Sequence, residues 1–212
     1  MARLLEFEAK DLLRKAGLPV PAGRVAASAE DAAAAATEIG YPVALKAQVA
    51  VGKRGKAGGI LFANNADEAG ANARALLGKS IHGFRVERIL IEKKLDIRDE
   101  HYLGVISNPA TKTPTLIFAR QGGMDVEEQA AQGADGLVTL DIDLTQGLRP
   151  YMALDLLRSA GVGGRALPAL AGMAVKLFEI YRSGDCTLAE INPVAMTARG
   201  PVAADARVSI DD

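Results

Sequence analysis

Two polar segments from opposite ends of the chain constrain the fold most. Each is joined to a stretch of apolar residues that predicts a strand, so the position of each polar segment in the fold can be inferred. The first follows the strand at 43–47 and carries four glycines and three basic residues between positions 52 and 59. The second holds Glu190 and Asn192 on one strand and Asp205 on the next. Glycine lets backbone N–H groups approach phosphate oxygens, and carboxylate and amide oxygens suit Mg²⁺. Together the segments predict a nucleotide site built from both ends of the chain.

The bulk composition is that of an ordinary globular protein. The 212 residues are 49% apolar and 24% charged, with a net charge of -1, which suffices for a core in one domain or two small lobes. This charge balance predicts neither nucleic acid nor a membrane as a partner. No apolar run approaches the roughly 20 residues that a membrane helix needs. The single cysteine, Cys186, and the early acidic residues Glu6, Glu8 and Asp11 favour a cytoplasmic protein without a secretory signal.

The order of the predicted elements favours an α+β fold. Helices are predicted at 4–16, 29–39 with Ser28 as the N-cap, 66–77, from 126 onward, 150–160 and 166–182. Strands are predicted at 43–47, 59–63, 88–92, 101–107, 115–119, 188–195 and 202–209, with irregular structure before Pro150. The last two strands should form a hairpin that turns at 199–200. Because hairpins interrupt the alternation of strand and helix, a two-lobed α+β architecture is preferred to a doubly wound sheet.

The glycine-rich segment is a candidate phosphate loop. It matches neither the Walker A pattern nor G-x-G-x-x-G, and a flexible glycine loop explains the pattern by itself equally well. Lys46 favours the phosphate interpretation, because a lysine at the end of an apolar strand is rarely buried without an anionic partner.

The oxygen-bearing residues near the C-terminus are candidate Mg²⁺ ligands. Glu190 and Asn192 are two apart on a strand, so their side chains should share one face. Asp205 is expected within the partner strand, where no turn explains it. A polar pair at a sheet edge is the alternative. Acidic residues around position 96 are commonly solvated, and the isolated His82 and His101 are expected to be structural.

Several motifs in order give the chain a specific resemblance. They are Leu5-Glu6-Phe7-Glu8-Ala9-Lys10 with Gly17-Leu18-Pro19-Val20-Pro21, Lys46-Ala47-Gln48-Val49 with Arg54-Gly55-Lys56-Ala57-Gly58-Gly59, Gly122-Gly123-Met124-Asp125-Val126-Glu127-Glu128, and Glu190-Ile191-Asn192-Pro193. Over essentially its whole length the chain resembles the ATP-grasp part of the β subunit of succinyl-CoA synthetase and its relatives, including malate-CoA ligase.

This resemblance implies an ATP-grasp fold in which two α+β lobes hold the nucleotide between them. The expected lobes are residues 1–20 with 95–212, and an inserted lobe at 21–94. The implied cofactors are Mg²⁺ and ATP or ADP, with GTP as an alternative. Asn192 and Asp205 would hold the metal, and Glu190 would lie near the phosphorylated histidine as the catalytic residue. The implied nucleotide-binding residues are Lys46, Lys53, Arg54, Gly55, Glu92, Leu95 (through its backbone, on the adenine side) and Glu100.

The resemblance also implies the reaction. An ADP-forming carboxylate-CoA ligase converts acid, CoA and ATP to acyl-CoA, ADP and phosphate through an acyl phosphate and a phosphohistidine. That histidine and the CoA site would belong to an α subunit partner, and the C-terminal ligase domain of the β subunit is expected to be missing. The chain alone should therefore bind nucleotide without making acyl-CoA.

Two positions depart from the family pattern, because Lys53 stands where glycine is usual and Ala50 where histidine is frequent. The basic loop leaves the ATP-citrate lyase or citryl-CoA synthetase branch as an alternative. A non-catalytic nucleotide-binding regulatory module is a third hypothesis, which Lys46, Asn192 and Asp205 disfavour.

Overall fold

A computed structural model describes residues 2–52, 54–123 and 136–211. The chain divides into two compact units. Unit 1 comprises Met1–Leu4, Glu8–Val20 and Asp96–Asp212, and unit 2 comprises Leu5–Phe7 and Pro21–Leu95. Both units combine helices with antiparallel sheet, so the α+β prediction is confirmed. Among the described residues, no helix combines the length and the apolar character that crossing a membrane requires.

The elements of unit 2 form a four-stranded antiparallel sheet in the order β2-β7-β3-β4, two helices and a small hairpin. Their bounds are β2 Gly23–Ala26, α2 Ala29–Ile39, β3 Val43–Ala47, β4 Ile60–Ala63, α3 Ala66–Leu76, β5 Ser80–Ile81, β6 Phe84–Arg85 and β7 Ile89–Lys93.

Helix α2 begins and ends where its capping residues predict. The Ser28 side chain accepts a hydrogen bond from the Asp31 N–H, and Gly40 ends the helix with φ at 82°. Its alanines at 32, 35 and 36 are completely buried in the core of unit 2. The alanine run is therefore a packing surface rather than a segment of low complexity.

Unit 1 is built on a seven-stranded sheet in the order β1-β13-β11-β8-β9-β10, with β12 also paired to β11. Its core joins apolar side chains of this sheet to helices α1, α4 and α5. The bounds are β1 Ala2–Arg3, α1 Glu6–Lys15, β8 Asp99–Asn108, β9 Thr113–Ala119, β10 Leu137–Asp141, α4 Pro150–Ser159, α5 Ala166–Ser183, β11 Cys186–Thr197, β12 Gly200–Ala203 and β13 Ala206–Ile210. The first turn of α1, with Glu6, is grouped with unit 2.

Several elements differ from the sequence-based expectation. Strands β1, β5 and β6 were not predicted, since each has only two residues. Strands β2 and β10 were not predicted, because each is a sheet-edge strand whose short, half-exposed pattern carries little apolar alternation. The single strand expected at 202–209 is two strands, β12 and β13, separated by a bend at Ala204 and Asp205. The helix predicted from residue 126 lies outside the described residues.

Candidate functional site

Lys46 lies at the centre of a buried charged cluster in unit 2. Its Nζ is 3.0 Å from Glu6 Oε1 and 2.8 Å from Glu92 Oε2. Both carboxylate side chains are only 2% exposed, and the lysine side chain is 11% exposed. The register explains the second contact: Lys46 on β3 pairs with Leu90 on β7, which places Glu92 diagonally opposite on the same face. The anionic partner that the sequence required for Lys46 is supplied here by two carboxylates.

Arg54 completes this cluster from the glycine-rich segment. Its guanidinium pairs with Glu6 Oε2 and donates to the Ala47 carbonyl at 3.2 Å. Gln48 supports the same carboxylate, because its amide nitrogen lies 3.4 Å from Glu6 Oε2 while its amide oxygen accepts the Phe7 N–H. We call Glu6, Lys46, Arg54 and Glu92 the Glu6 cluster. It contains two formal negative and two formal positive charges, so burial does not leave a net charge.

The glycine-rich segment forms a compact turn that closes on Arg54. The N–H groups of Ala57 and Gly59 both donate to the Arg54 carbonyl, at 3.1 and 2.8 Å. A Cβ on Gly59 would lie 2.9 Å from that carbonyl oxygen and 2.8 Å from Ile81 Cδ1. Glycine is therefore required at 59 by close packing. Gly55 lies within the turn, and its carbonyl accepts the Gly58 N–H at 3.0 Å. Lys53 lies outside the described residues.

The remaining predicted nucleotide contacts are Glu92, Leu95 and Glu100. Glu92 is buried beside Lys46 rather than solvated. Leu95 is half-buried after β7, at the end of unit 2. Glu100 belongs to β8 in unit 1, where its carbonyl accepts the Gly122 N–H at 2.8 Å.

Asn192 and Asp205 are brought together by matched interruptions in two neighbouring strands of unit 1. Ile191 on β11 pairs with Ala206 on β13, and Val194 on β11 pairs with Ala203 on β12. Residues 192–193 therefore lie opposite residues 204–205, and neither pair of residues belongs to the regular strand pairing. The Asn192 N–H donates to the Asp205 carbonyl at 3.2 Å. The expectation that Asp205 lies within a strand was wrong: it forms the bend, and its Oδ1 accepts the Ala206 N–H at 2.8 Å.

Glu190 extends this group of oxygens. It is hydrogen-bonded to the Asn192 side chain, as expected for residues two apart on one face, and Tyr102 OH lies 3.4 Å from its Oε2. Burial raises the pKa of Glu190 above the ordinary value of 4.5, with a smaller contribution from the charge of Asp205. Arg207 and the two hydrogen bonds act in the opposite direction without cancelling the effect of burial.

The donor set at the interruption fits Mg²⁺. The amide oxygen of Asn192 accepts the Gly123 N–H at 2.7 Å, which orients this oxygen, and an amide oxygen is one of the ligand types that Mg²⁺ takes. The described parts of the chain contain no group of three or more histidine, cysteine or acidic residues that could hold a metal. Mg²⁺ does not need such a group, because one or two protein oxygens with phosphate and water commonly complete its octahedron.

Two charged residues of α1 were missed as parts of the site. Glu6 and Lys10 are 4% and 1% exposed. With Ala9 and Leu13 they occupy positions 6, 9, 10 and 13, which is the spacing of one helix face. Charged residues on the apolar stripe of an amphipathic helix were the sequence feature that could have identified them.

Comparison with known proteins decides the family. The sequence model of the ATP-grasp domain family matches residues 3–196. The chain belongs to the ATP-grasp domain family. The resemblance to an ATP-grasp domain inferred from the motifs is thereby confirmed.

Curated relatives of this ATP-grasp chain are β subunits of succinate–CoA ligases. The GDP-forming subunit of Thermus thermophilus is 41% identical over 210 residues, which cover 99% of this chain and 55% of the relative. The ADP-forming subunit beta 1 of Archaeoglobus fulgidus is 42% identical over 210 residues, which cover 99% of this chain and 55% of that relative. The chain therefore spans about half the length of the curated relatives it matches.

Solved structures show the same fold at lower identity. The dinucleotide-forming acetyl-coenzyme A synthetase 1 of Ca. Korarchaeum cryptofilum, in complex with coenzyme A, Ca-AMPCP and HgCl+, matches with a TM-score of 0.79 and 23% identity, covering 99% of this chain and 93% of that one. ATP citrate lyase of Methanothrix soehngenii matches with a TM-score of 0.72 and 20% identity, covering 99% and 51%. At these identities the likeness concerns the fold alone.

Proposed function

We propose that this ATP-grasp chain binds a magnesium nucleotide and is the phosphoryl-transfer part of an ADP-forming carboxylate-CoA ligase. One observation carries the proposal: the matched interruptions of two strands place the backbones of Asn192 and Asp205 side by side, joined by the bond from the Asn192 N–H to the Asp205 carbonyl, with the Glu190 side chain hydrogen-bonded to that of Asn192. Two hard oxygen donors held this way suit Mg²⁺, and the names of the curated relatives support succinate as the acid.

Each residue of the proposal has a distinct task. Asn192 and Asp205 hold the metal, which when bound neutralises charge on the phosphate oxygens. Lys46, Arg54 and Gly55 contact the phosphates, and Lys53 belongs to the same loop. Glu92, Leu95 and Glu100 are assigned to the rest of the nucleotide. The ion pairs of Lys46 with Glu6 and Glu92 support this assignment, since they orient its ammonium group in a buried site.

Glu190 is proposed to contact the histidine that accepts the phosphoryl group. A buried carboxyl group can orient an incoming imidazole through its ring N–H and leave the other nitrogen available to phosphorus.

The histidine and the CoA site are proposed to come from an α subunit, and acyl-CoA formation also to require the rest of a β subunit. The relatives that match nearly the whole chain are β subunits of which it spans 55%, which supports this division. We propose ATP as the nucleotide and leave GTP as the competitor, since both ADP-forming and GDP-forming relatives match. The cytoplasm is the proposed compartment, supported by the buried free thiol of Cys186.

Two measurements test the function. Calorimetry with Mg-ATP, Mg-ADP and Mg-GTP should detect binding, and Lys46→Ala should weaken it by at least about tenfold, the loss expected for a charged contact to phosphate. Lys94→Ala is the matched control, because Lys94 is an exposed lysine whose ammonium lies over the Phe62 ring.

The second measurement follows phosphorus. ATP labelled in its γ-phosphate should transfer label to a histidine of an added α subunit, and the label should be acid-labile. Glu190→Gln should slow this transfer while nucleotide binding is retained. Binding without transfer would favour the regulatory-module hypothesis, and the absence of binding would refute the nucleotide site.

A further inference from the structure

Lys10 is a fully buried lysine that core packing alone does not explain. It lies on α1, is 1% exposed and is among the largest completely buried side chains of the described residues. Its Nζ donates to the Ala204 carbonyl at 2.8 Å, across 194 positions of sequence. Removing an ammonium group from water is costly, whereas leucine or methionine could fill the same volume at no such cost. The hydrogen bond from Lys10 to the Ala204 carbonyl therefore indicates a role for this lysine beyond filling the core.

The Ala204 carbonyl belongs to the bend that carries Asp205. Because β12 and β13 are separated here, the backbone groups of this bend lie outside the regular ladder and need other partners. The Ala203 N–H donates to the Pro19 carbonyl at 2.9 Å, and the Ala204 N–H donates to the Pro193 carbonyl at 3.1 Å. Lys10 supplies the donor for the carbonyl that immediately precedes Asp205.

We propose that Lys10 is a positioning residue for Asp205: it fixes the Ala204–Asp205 peptide so that the carboxylate faces the metal site before the ion arrives. The inference rests on the proposed magnesium site and adds a residue to it. Without Lys10, the Ala204 carbonyl loses a buried partner, and rotation of this peptide would move the Asp205 side chain. Outer residues that orient a metal ligand in this way typically contribute 10- to 100-fold to metal affinity.

The first test compares two lysines that make the same kind of bond. Lys10→Met keeps an unbranched side chain that is shorter by one atom and removes the donor. Lys176→Met is the matched control, because Lys176 Nζ also donates to a backbone carbonyl, that of Gly17, at 2.8 Å, but Lys176 is only half-buried and its partner does not belong to the bend. Both variants change the net charge equally. Nucleotide affinity is measured by calorimetry with excess Mg²⁺ and again with EDTA.

We expect Lys10→Met to weaken binding in Mg²⁺ by about tenfold or more while binding in EDTA changes by less than about twofold. Lys176→Met should change neither value. An equal loss under both conditions, or no loss, would overturn the role of Lys10 and leave the metal site intact. A wild-type chain whose nucleotide affinity does not respond to Mg²⁺ would instead refute the metal site, and this role with it.

A second measurement needs no variant and keeps the inference falsifiable if Lys10→Met fails to fold. If Lys10 forms the bend in advance, the amides of Ala203, Ala204 and Asn192 are protected from hydrogen exchange in the metal-free wild type. Adding Mg²⁺ and ATP should leave their protection almost unchanged. Amides that exchange freely until Mg²⁺ is added would show that the ion makes the bend, and would overturn the inference.

Discussion

Glu6 Oε1 lies 3.0 Å from Lys46 Nζ, although 40 positions separate the two residues in sequence. The same carboxylate also pairs with Arg54 through its other oxygen. One residue of the first helix thus holds both described cations that we assign to the phosphates. Any phosphate that binds Lys46 and Arg54 does so beside a carboxylate that already orients them, so the Glu6 cluster influences stability and binding together.

Replacing Glu6 by glutamine should destabilise the fold strongly. Glu6→Gln keeps the side-chain volume but removes the charge that faces two buried cations, and breaking a buried pair typically costs about 3–5 kcal/mol. Asp11→Asn is the control on the same helix, because Asp11 pairs with Arg14 where both side chains are about half exposed; a loss below about 1 kcal/mol is expected there. Urea denaturation measures both. Equal losses would show that the buried cluster contributes no more than a surface pair.

Replacing Asp205 by asparagine should weaken metal-dependent nucleotide binding selectively. Asp205→Asn keeps an oxygen that can accept the Ala206 N–H but removes the charge that attracts Mg²⁺. We expect about a tenfold or greater loss of affinity in Mg²⁺ and little change in EDTA. Asp211→Asn, an exposed acid after β13, should behave like the wild type. Identical losses with and without metal would remove Asp205 from the ligand set.

The stability contributed by Glu190 should depend on pH with a defined sign. Because its folded pKa is raised by burial, the folded chain holds this proton more tightly than the unfolded chain. Stability relative to Glu190→Gln should therefore be highest below the ordinary pKa of 4.5 and fall as the pH rises through the raised folded value. Unfolding curves of both proteins in metal-free buffer between acid and neutral pH measure the difference. Curves that stay parallel would show that the carboxyl does not titrate abnormally.

Two glycines should respond to alanine in opposite directions. A Cβ at Gly59 would meet the Arg54 carbonyl oxygen and Ile81, whereas a Cβ at Gly172 meets nothing within 4 Å. Gly59→Ala should cost about 1–3 kcal/mol and disturb the loop that holds Arg54. Gly172→Ala lies inside α5 and should gain about 0.5–1 kcal/mol from helix propensity. Thermal unfolding of the two variants measures both effects, and a stabilised Gly59→Ala would contradict the tight turn.

Much of the secondary structure follows from local features of the sequence. The Ser28 cap, the stop at Gly40 and Pro150 in the first turn of α4 each act over a few residues, so helices α2 and α4 could be located from them. The motifs around Lys46 and Glu190 also placed the chain in its family. Edge strands such as β2 and β10 escaped prediction, because hydrogen bonds to a neighbouring strand rather than their own apolar pattern make them strands.

Some features of the candidate site could likewise be predicted from the sequence, and others depended on tertiary contacts. The residue types at Lys46, Glu190, Asn192 and Asp205 indicated phosphate and metal chemistry from sequence alone. The partners of Lys46 and the bend at Asp205 depended on contacts between residues far apart in the chain, namely Glu6 with Lys46 and Lys10 with Ala204. Local propensity depends on residues close in sequence. It therefore cannot predict which distant residue pairs with a buried charge after the strands have paired. Packing of α1 therefore decided which of the polar residues became part of the site.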